Sequence, residues 1–207
     1  MQTFPLPESE IEAALRDSGA LLEGHFLLAS GRHSDRYIEK FRLLEQPRLT
    51  SRLCGEVARR FREKLGEDGI ECVIGPVTGG IILAFETARH LDCRAVYAER
   101  GEGGRGFALR RGFQLRRGER VLVVEDIVTT GGSVLQVVET VRAAGGEVVG
   151  VGLLVDRSGG QVDYGVPIVE ALLNLTIESY APDAVPDWLP ARYGPAIKPG
   201  TSDIVKT

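Results

Sequence analysis

The stretch VLVVEDIVTTGGS, residues 121–133, decides how this chain is read. Four apolar residues run straight into Glu125 and Asp126, and a turn of small hydroxyl and glycine residues follows. A short apolar run bounded by turn residues is a buried strand. Two acids at its end repel each other, and a buried charge is costly unless something pairs with it. The pair is therefore expected to meet a partner that the sequence itself does not supply.

In an open α/β sheet, ligands bind outside the carboxyl ends of the strands. The turn after Asp126 leads into a helix whose free N-terminal amides and dipole favour an anion. Thr129, Thr130 and Ser133 add hydroxyls, while Gly131 and Gly132 let the backbone approach closely. The segment reads as a phosphate cradle with two carboxylates beside it. A ligand with a phosphate at one end and vicinal hydroxyls nearby satisfies both parts, and a 5-phosphoribosyl group has that shape. No G-x-x-x-x-G-K-[ST] loop occurs.

Working outward, continuous apolar strands alternate with helical patterns. CVIG at 72–75 and RAVYAE at 94–99 read as strands, with a helix at 79–91 between them. A stripe of Val134, Val137, Val138 and Val141 precedes Gly145-Gly146, and VVGVGLLV at 148–155 is a further buried strand. This order predicts an α/β fold, a mostly parallel central sheet covered by helices on both faces. Upstream, Ser9 and Glu12 have the spacing of a capping box. Residues 25–40 turn strand-like around Ser30-Gly31-Arg32. Leu49, Leu53, Val57, Phe61 and Leu65 predict a long helix after Pro47 that Gly66 ends. Residues 99–113 hold five glycines and four arginines and show no stable periodicity. The Pro-containing tail from Tyr180 reads as an ordered strap followed by a loose end.

The 207 residues are enough for one sizeable core, and the net charge of −4 offers no global basic field for nucleic acid. Arginine outnumbers lysine 21 to 4, a bias that suits bidentate phosphate contacts but that a GC-rich genome also produces. Cys54, Cys72 and Cys93 are scattered among apolar residues, as small buried hydrophobes in a reducing compartment. The N-terminus lacks a basic region with an apolar core, and no apolar run approaches the length of a membrane span. The expected location is the cytoplasm.

VLVVEDIVTTGGS resembles the phosphoribosyl pyrophosphate motif of type I phosphoribosyltransferases. Further segments resemble the orotate phosphoribosyltransferase family in particular: GHFLLASGRHSDRYIEK (24–40), IGPVTGGI (74–81) and VDRSGG (155–160). They fall in that family's order across roughly residues 20–180. The resemblance implies the type I phosphoribosyltransferase fold in one domain, with an N-terminal hood over 1–45, a core sheet over 66–160 and a mobile loop over 99–113. It implies transfer of phosphoribosyl from phosphoribosyl pyrophosphate to orotate, with Mg²⁺ held mainly through the substrate and no direct metal ligands. Glu125 and Asp126 would hold the ribose hydroxyls and stabilise charge developing at C1. Ile127, Val128, Thr129, Thr130, Gly131, Gly132 and Ser133 would form the 5-phosphate loop, and Thr78 and Gly79 would belong to the pyrophosphate loop. Arg100 and Arg105 would meet the leaving group. Arg157 would pair with the orotate carboxylate, Tyr37 would lie against its ring, and Thr129 would touch it. The family also implies a homodimer with shared active sites and no nucleic-acid or membrane partner.

The chain departs from that pattern in places. Relatives commonly carry lysine where Ala29 and Gly79 stand here, and their mobile loop usually contains lysines and a histidine, absent from 99–119. Arginine can neutralise pyrophosphate but cannot give up a proton at neutral pH. Val185 and Trp188 stand where some relatives have a Cys-x-x-Cys, so no zinc is expected. Two other readings stay open: a purine phosphoribosyltransferase, and a non-catalytic phosphoribosyl pyrophosphate-sensing regulator.

Overall fold

The computed structural model describes residues 5–199. Strands β1 (Leu21–Leu27) and β2 (His33–Ile38) pair antiparallel as a separate two-stranded sheet. The main sheet contains β3 (Cys72–Pro76), β4 (Arg94–Arg100), β5 (Phe107–Leu109), β6 (Arg120–Val128), β7 (Glu147–Asp156) and β8 (Val169–Asn174). Its order is β5-β4-β3-β6-β7-β8, parallel throughout except at the β4–β5 edge. The two central parallel strands, β3 and β6, carry the alternation the sequence promised, and β8 extends the sheet beyond residue 160.

Helices cover both faces. On one lie α1 (Glu8–Asp17), α3 (Pro47–Leu65) and α4 (Gly79–Leu91), with Leu53, Val57, Phe61 and Leu83 packed against Leu122 and Val124. On the other, the valine stripe of α5 (Gly132–Ala143) packs on Val121, Val123, Val151 and Leu153. Period-2 alternation thus sends Val121 and Val123 to one layer and Leu122 and Val124 to the other. The glycines of VVGVGLLV have a packing reason: a Cβ on Gly150 would collide with the fully buried Phe61 ring. The close approach of α3 to β7 depends on that missing side chain.

One local expectation needs correction, and two features went unread. The capping box does not form, because α1 begins at Glu8 with Pro7 as its N-cap, which places Ser9 inside the helix. Glu12 instead pairs with Arg16 at 2.8 Å. Residues 99–113 are not structureless: β4 runs to Arg100 and pairs with β5, Arg100 opposite Phe107, which leaves a short turn between them. A five-residue helix, α2 (Lys40–Leu44), precedes α3 and had no sequence period long enough to show. The strap from Tyr180 is tied to the hairpin, with backbone pairs His33–Tyr180 and Phe26–Ile197 and with α6 (Trp188–Tyr193) between them. The expected loose end falls largely outside the described residues.

Candidate active site

The site is built where β6 and β7 end and α4 and α5 begin. Strand β6 does not stop at the acids but continues to Val128, so Glu125 and Asp126 are its sixth and seventh residues, both buried. Successive strand residues point to opposite faces, and the two carboxylates do so. Glu125 lines a hollow of about 70 Å³ together with Ile127 and residues 128–134. Asp126 turns to the other side, against Gly79 at the start of α4 and against Lys40 of α2.

The turn after β6 has the features an anion needs. Gly131 precedes α5 with φ +75°, a left-handed conformation that glycine adopts without strain, and no side chain caps the helix. Val162 and the Tyr164 hydroxyl back Gly131 so closely that a Cβ there would strike Val162 and lie 3.1 Å from the hydroxyl oxygen. Thr129 and Thr130 are exposed above the turn, and Ser133 is half-buried in the first turn of α5. The start of α4 repeats the arrangement: Thr78 is exposed and uncapped before buried Gly79 and Gly80. A Cβ on Gly79 would collide with Asp126 Oδ2, so a side chain there would require that carboxylate to turn away. Two helix N-termini therefore flank the acid pair.

The electrostatics of the pair follow from burial. Desolvation first, then the neighbouring Asp126 charge, push Glu125 up to about 8. Desolvation also raises Asp126, opposed chiefly by Lys40. Lys40 Nζ lies 3.1 Å from Asp126 Oδ2 and 3.3 Å from Oδ1. This corrects one expectation: the sequence does supply a partner for Asp126. Among the described residues it supplies none for Glu125, whose Oε1 accepts only the Asp126 amide, at 3.1 Å.

Arg157 follows β7, and its amide donates to the Val128 carbonyl at 2.8 Å, which fixes it beside the phosphate turn. Asp156 organises the next residues, accepting from the Ser158 amide at 2.7 Å and the Gly160 amide at 3.2 Å. The Arg157 guanidinium is half-buried, which lowers its pKa, and its buried Nε has no hydrogen-bond partner. No ion pair reaches it among the described residues. Tyr37 on β2 lies within electrostatic range of Arg157 and packs against Phe26 at a ring separation of 5.7 Å. Burial, then Glu39, raise the Tyr37 phenol.

The loop arginines are placed unevenly. Arg100 ends β4, lies over the Phe107 ring at 4.3 Å and acts electrostatically on Glu125. Arg105 is exposed in the turn beyond it, and Arg111 is occupied by Glu99 at 2.7 Å. Thus Glu125, Ile127 and 128–133 come together, with Asp126, Thr78, Gly79, Arg157 and Tyr37 around them and Arg105 farthest out on its turn. Sequence reasoning missed Lys40, although it closes the quoted segment 24–40, and it also missed Tyr164 behind Gly131.

Two helix N-termini around a buried acid pair on a parallel sheet define a phosphoribosyltransferase site, and the chain belongs to the phosphoribosyl transferase domain family, which matches residues 43–164. Within it the chain belongs to the orotate phosphoribosyltransferases. It is 50% identical over 200 residues to the orotate phosphoribosyltransferase of Pelotomaculum thermopropionicum, covering 96% of this chain and all of that one. The enzyme of that name from Desulforamulus reducens is 49% identical over 94% of this chain and 97% of its own. The crystal structure of orotate phosphoribosyltransferase from Aeropyrum pernix superimposes with a TM-score of 0.67 at 29% identity, covering 80% of this chain and 93% of that one.

Proposed function

We propose that this chain transfers the 5-phosphoribosyl group of phosphoribosyl pyrophosphate to orotate, giving orotidine 5-monophosphate and pyrophosphate. Orotate N1 bonds to C1 while the C1–O bond breaks with its electron pair to pyrophosphate, and the N1 proton passes to an oxygen of the leaving pyrophosphate. Glu125 and Asp126 meet the ribose hydroxyls and stabilise the positive charge that develops at C1, an electrostatic role of the most effective kind in a water-poor site. The turn 129–133 takes the 5-phosphate, and the start of α4, at Thr78 and Gly79, takes the pyrophosphate. The observation that carries the choice of base is Arg157, a half-buried guanidinium with an orphaned Nε and no resident carboxylate. A planar orotate carboxylate beside Tyr37 is the partner it suits.

Among the described residues no three acids, cysteines or histidines gather as a metal site. Mg²⁺ would be held mainly through the diphosphate of the substrate, where it would offset charge on the leaving group. Arg100 and Arg105 serve the same charge from a loop that closes over the site, a motion favoured by the Gly101–Gly106 turn. A homodimer with shared sites is supported by the apolar groove at Leu44, Pro47 and Ile81, beside exposed Ile82 and Phe85. Cytoplasmic location is supported by three free cysteines. No described helix is long and apolar enough to cross a membrane. The test is the loss of orotate absorbance with phosphoribosyl pyrophosphate and Mg²⁺, beside guanine, xanthine, adenine and uracil. Turnover with orotate alone is expected, and turnover with a purine instead would overturn the assignment.

A further inference from the structure

We propose that Lys40 is the cationic partner of the catalytic acid pair, supplied by the N-terminal segment, and that the reaction depends on it through Asp126. The inference rests on the role given to Asp126 above. Lys40 is one of four lysines in the chain, and its ammonium reaches both oxygens of a side chain that is 3% exposed. Among the ion pairs of the described residues, no other cation reaches either acid. The α4 side is closed, because Asp126 Oδ2 occupies the space where a side chain on Gly79 would start. The loop side offers no contact either: Arg111 is held by Glu99 and Arg100 rests on Phe107. A cation for Asp126 therefore has to come from α2.

The Lys40 ammonium is a compact charge on a flexible stem. Lys40 is 34% exposed and its ammonium lies 5.5 Å from the Phe41 ring centre, so the stem has room to move when a ribose hydroxyl arrives at Asp126. The groups facing the acids are Lys40 from α2, Arg100 from the end of β4 and Tyr164 from the segment after β7, with Tyr37 beside Lys40. Lys40 is thus a positioning residue: it keeps Asp126 ionised and turned toward the start of α4.

The experiment is the pH profile of kcat/KM for Lys40→Gln and Lys40→Arg beside Asp126→Asn and the double variant Lys40→Gln/Asp126→Asn. A carboxylate that must be ionised gives activity that rises with pH, and a nearby cation moves that rise to lower pH. Loss of the cation is expected to move the acid limb of Lys40→Gln to higher pH by about one unit, the low end for an opposite charge at this distance. Lys40→Arg is expected to keep the parental limb, or to restore activity if Lys40→Gln is too slow to profile. The double variant should be no slower than Asp126→Asn. An unshifted limb in Lys40→Gln, an equal loss in Lys40→Arg, or additive losses in the double variant would each overturn the role of Lys40. Parental turnover in folded Asp126→Asn would instead overturn the reading of the acid pair on which it rests.

Discussion

Two places in this molecule bury carboxylates, and they treat them in opposite ways. Glu56 on α3 is fully buried, yet it accepts from the Leu6 amide at 3.2 Å, from Arg59 at 2.8 and 2.9 Å and from Arg60 at 2.9 Å. Burial works to raise its pKa, but the arginines and the amide outweigh that, and it ends below its ordinary value. Glu125 and Asp126 are buried to a similar degree with one lysine and a few backbone amides between them, and both are raised. Glu56 takes both of its cations from its own helix, Asp126 takes one from a distant segment, and Glu125 takes none among the described ion pairs. Burial without a paired cation is costly for the charged form, which is why Glu125 is the acid raised farthest toward neutral pH.

The largest effect expected from this contrast is on turnover. Asp126→Asn keeps the shape and removes one charge, so kcat should fall by at least ~10²-fold, the scale of losing one preorganised electrostatic group. Its melting temperature should change little, because the isosteric amide removes a buried charge together with its Lys40 ion pair. Glu56→Ala is expected to do the reverse. It removes the acceptor that Arg59 and Arg60 share, leaving them Glu63, Glu170 and the Ala171 carbonyl, and it should cost roughly 1.5–3 kcal/mol in denaturant unfolding. Its kcat should stay near the parental rate. If the Glu56 variant lost turnover as heavily as stability, the division between structural and site acids would fail.

A finer test separates binding of the base from binding of the donor. Arg157→Ala should raise the orotate KM by about tenfold to a hundredfold, the worth of a charge-assisted hydrogen bond of roughly 1.5–3 kcal/mol. The KM for phosphoribosyl pyrophosphate should change far less. Asp156→Ala removes the acceptor of the Ser158 and Gly160 amides. It should show the same split at no more than about tenfold, since it acts only by loosening the loop that aims Arg157. Equal changes in both constants would mean that Arg157 does not select the base.

The sheet and the turn between β6 and α5 were legible in the sequence because their signals are local: an apolar run, two acids, small turn residues and a valine stripe within 121–141. The same locality explains the misses. Lys40 meets Asp126 across 86 residues, and nothing in IEK distinguishes it from a surface lysine. Strand β5 is three residues among glycines and arginines, and it exists through pairing with β4, not through a pattern of its own. Ser9 had the capping spacing, but with Pro7 as N-cap the helix starts two residues too early for it. Gly79 looked like a lost lysine in sequence, and only the structure shows the Asp126 carboxylate turned into the space a side chain there would take.

The contrast between the two kinds of acid also fixes the sign of their pH dependence. Glu56, lowered in the folded state, contributes stability above its unfolded value of about 4.5, which is lost as pH falls through the folded value. Glu125, raised, contributes stability that is full below about 4.5 and lost as pH rises through about 8. The most direct measurement is a carbon-detected NMR titration of the glutamate carboxyls in the ligand-free protein, with Glu56→Gln and Glu125→Gln used to assign the two signals. The account predicts that Glu56 titrates below the ordinary glutamate range and Glu125 well above it, toward 8. Two glutamates titrating together near 4.5 would contradict it.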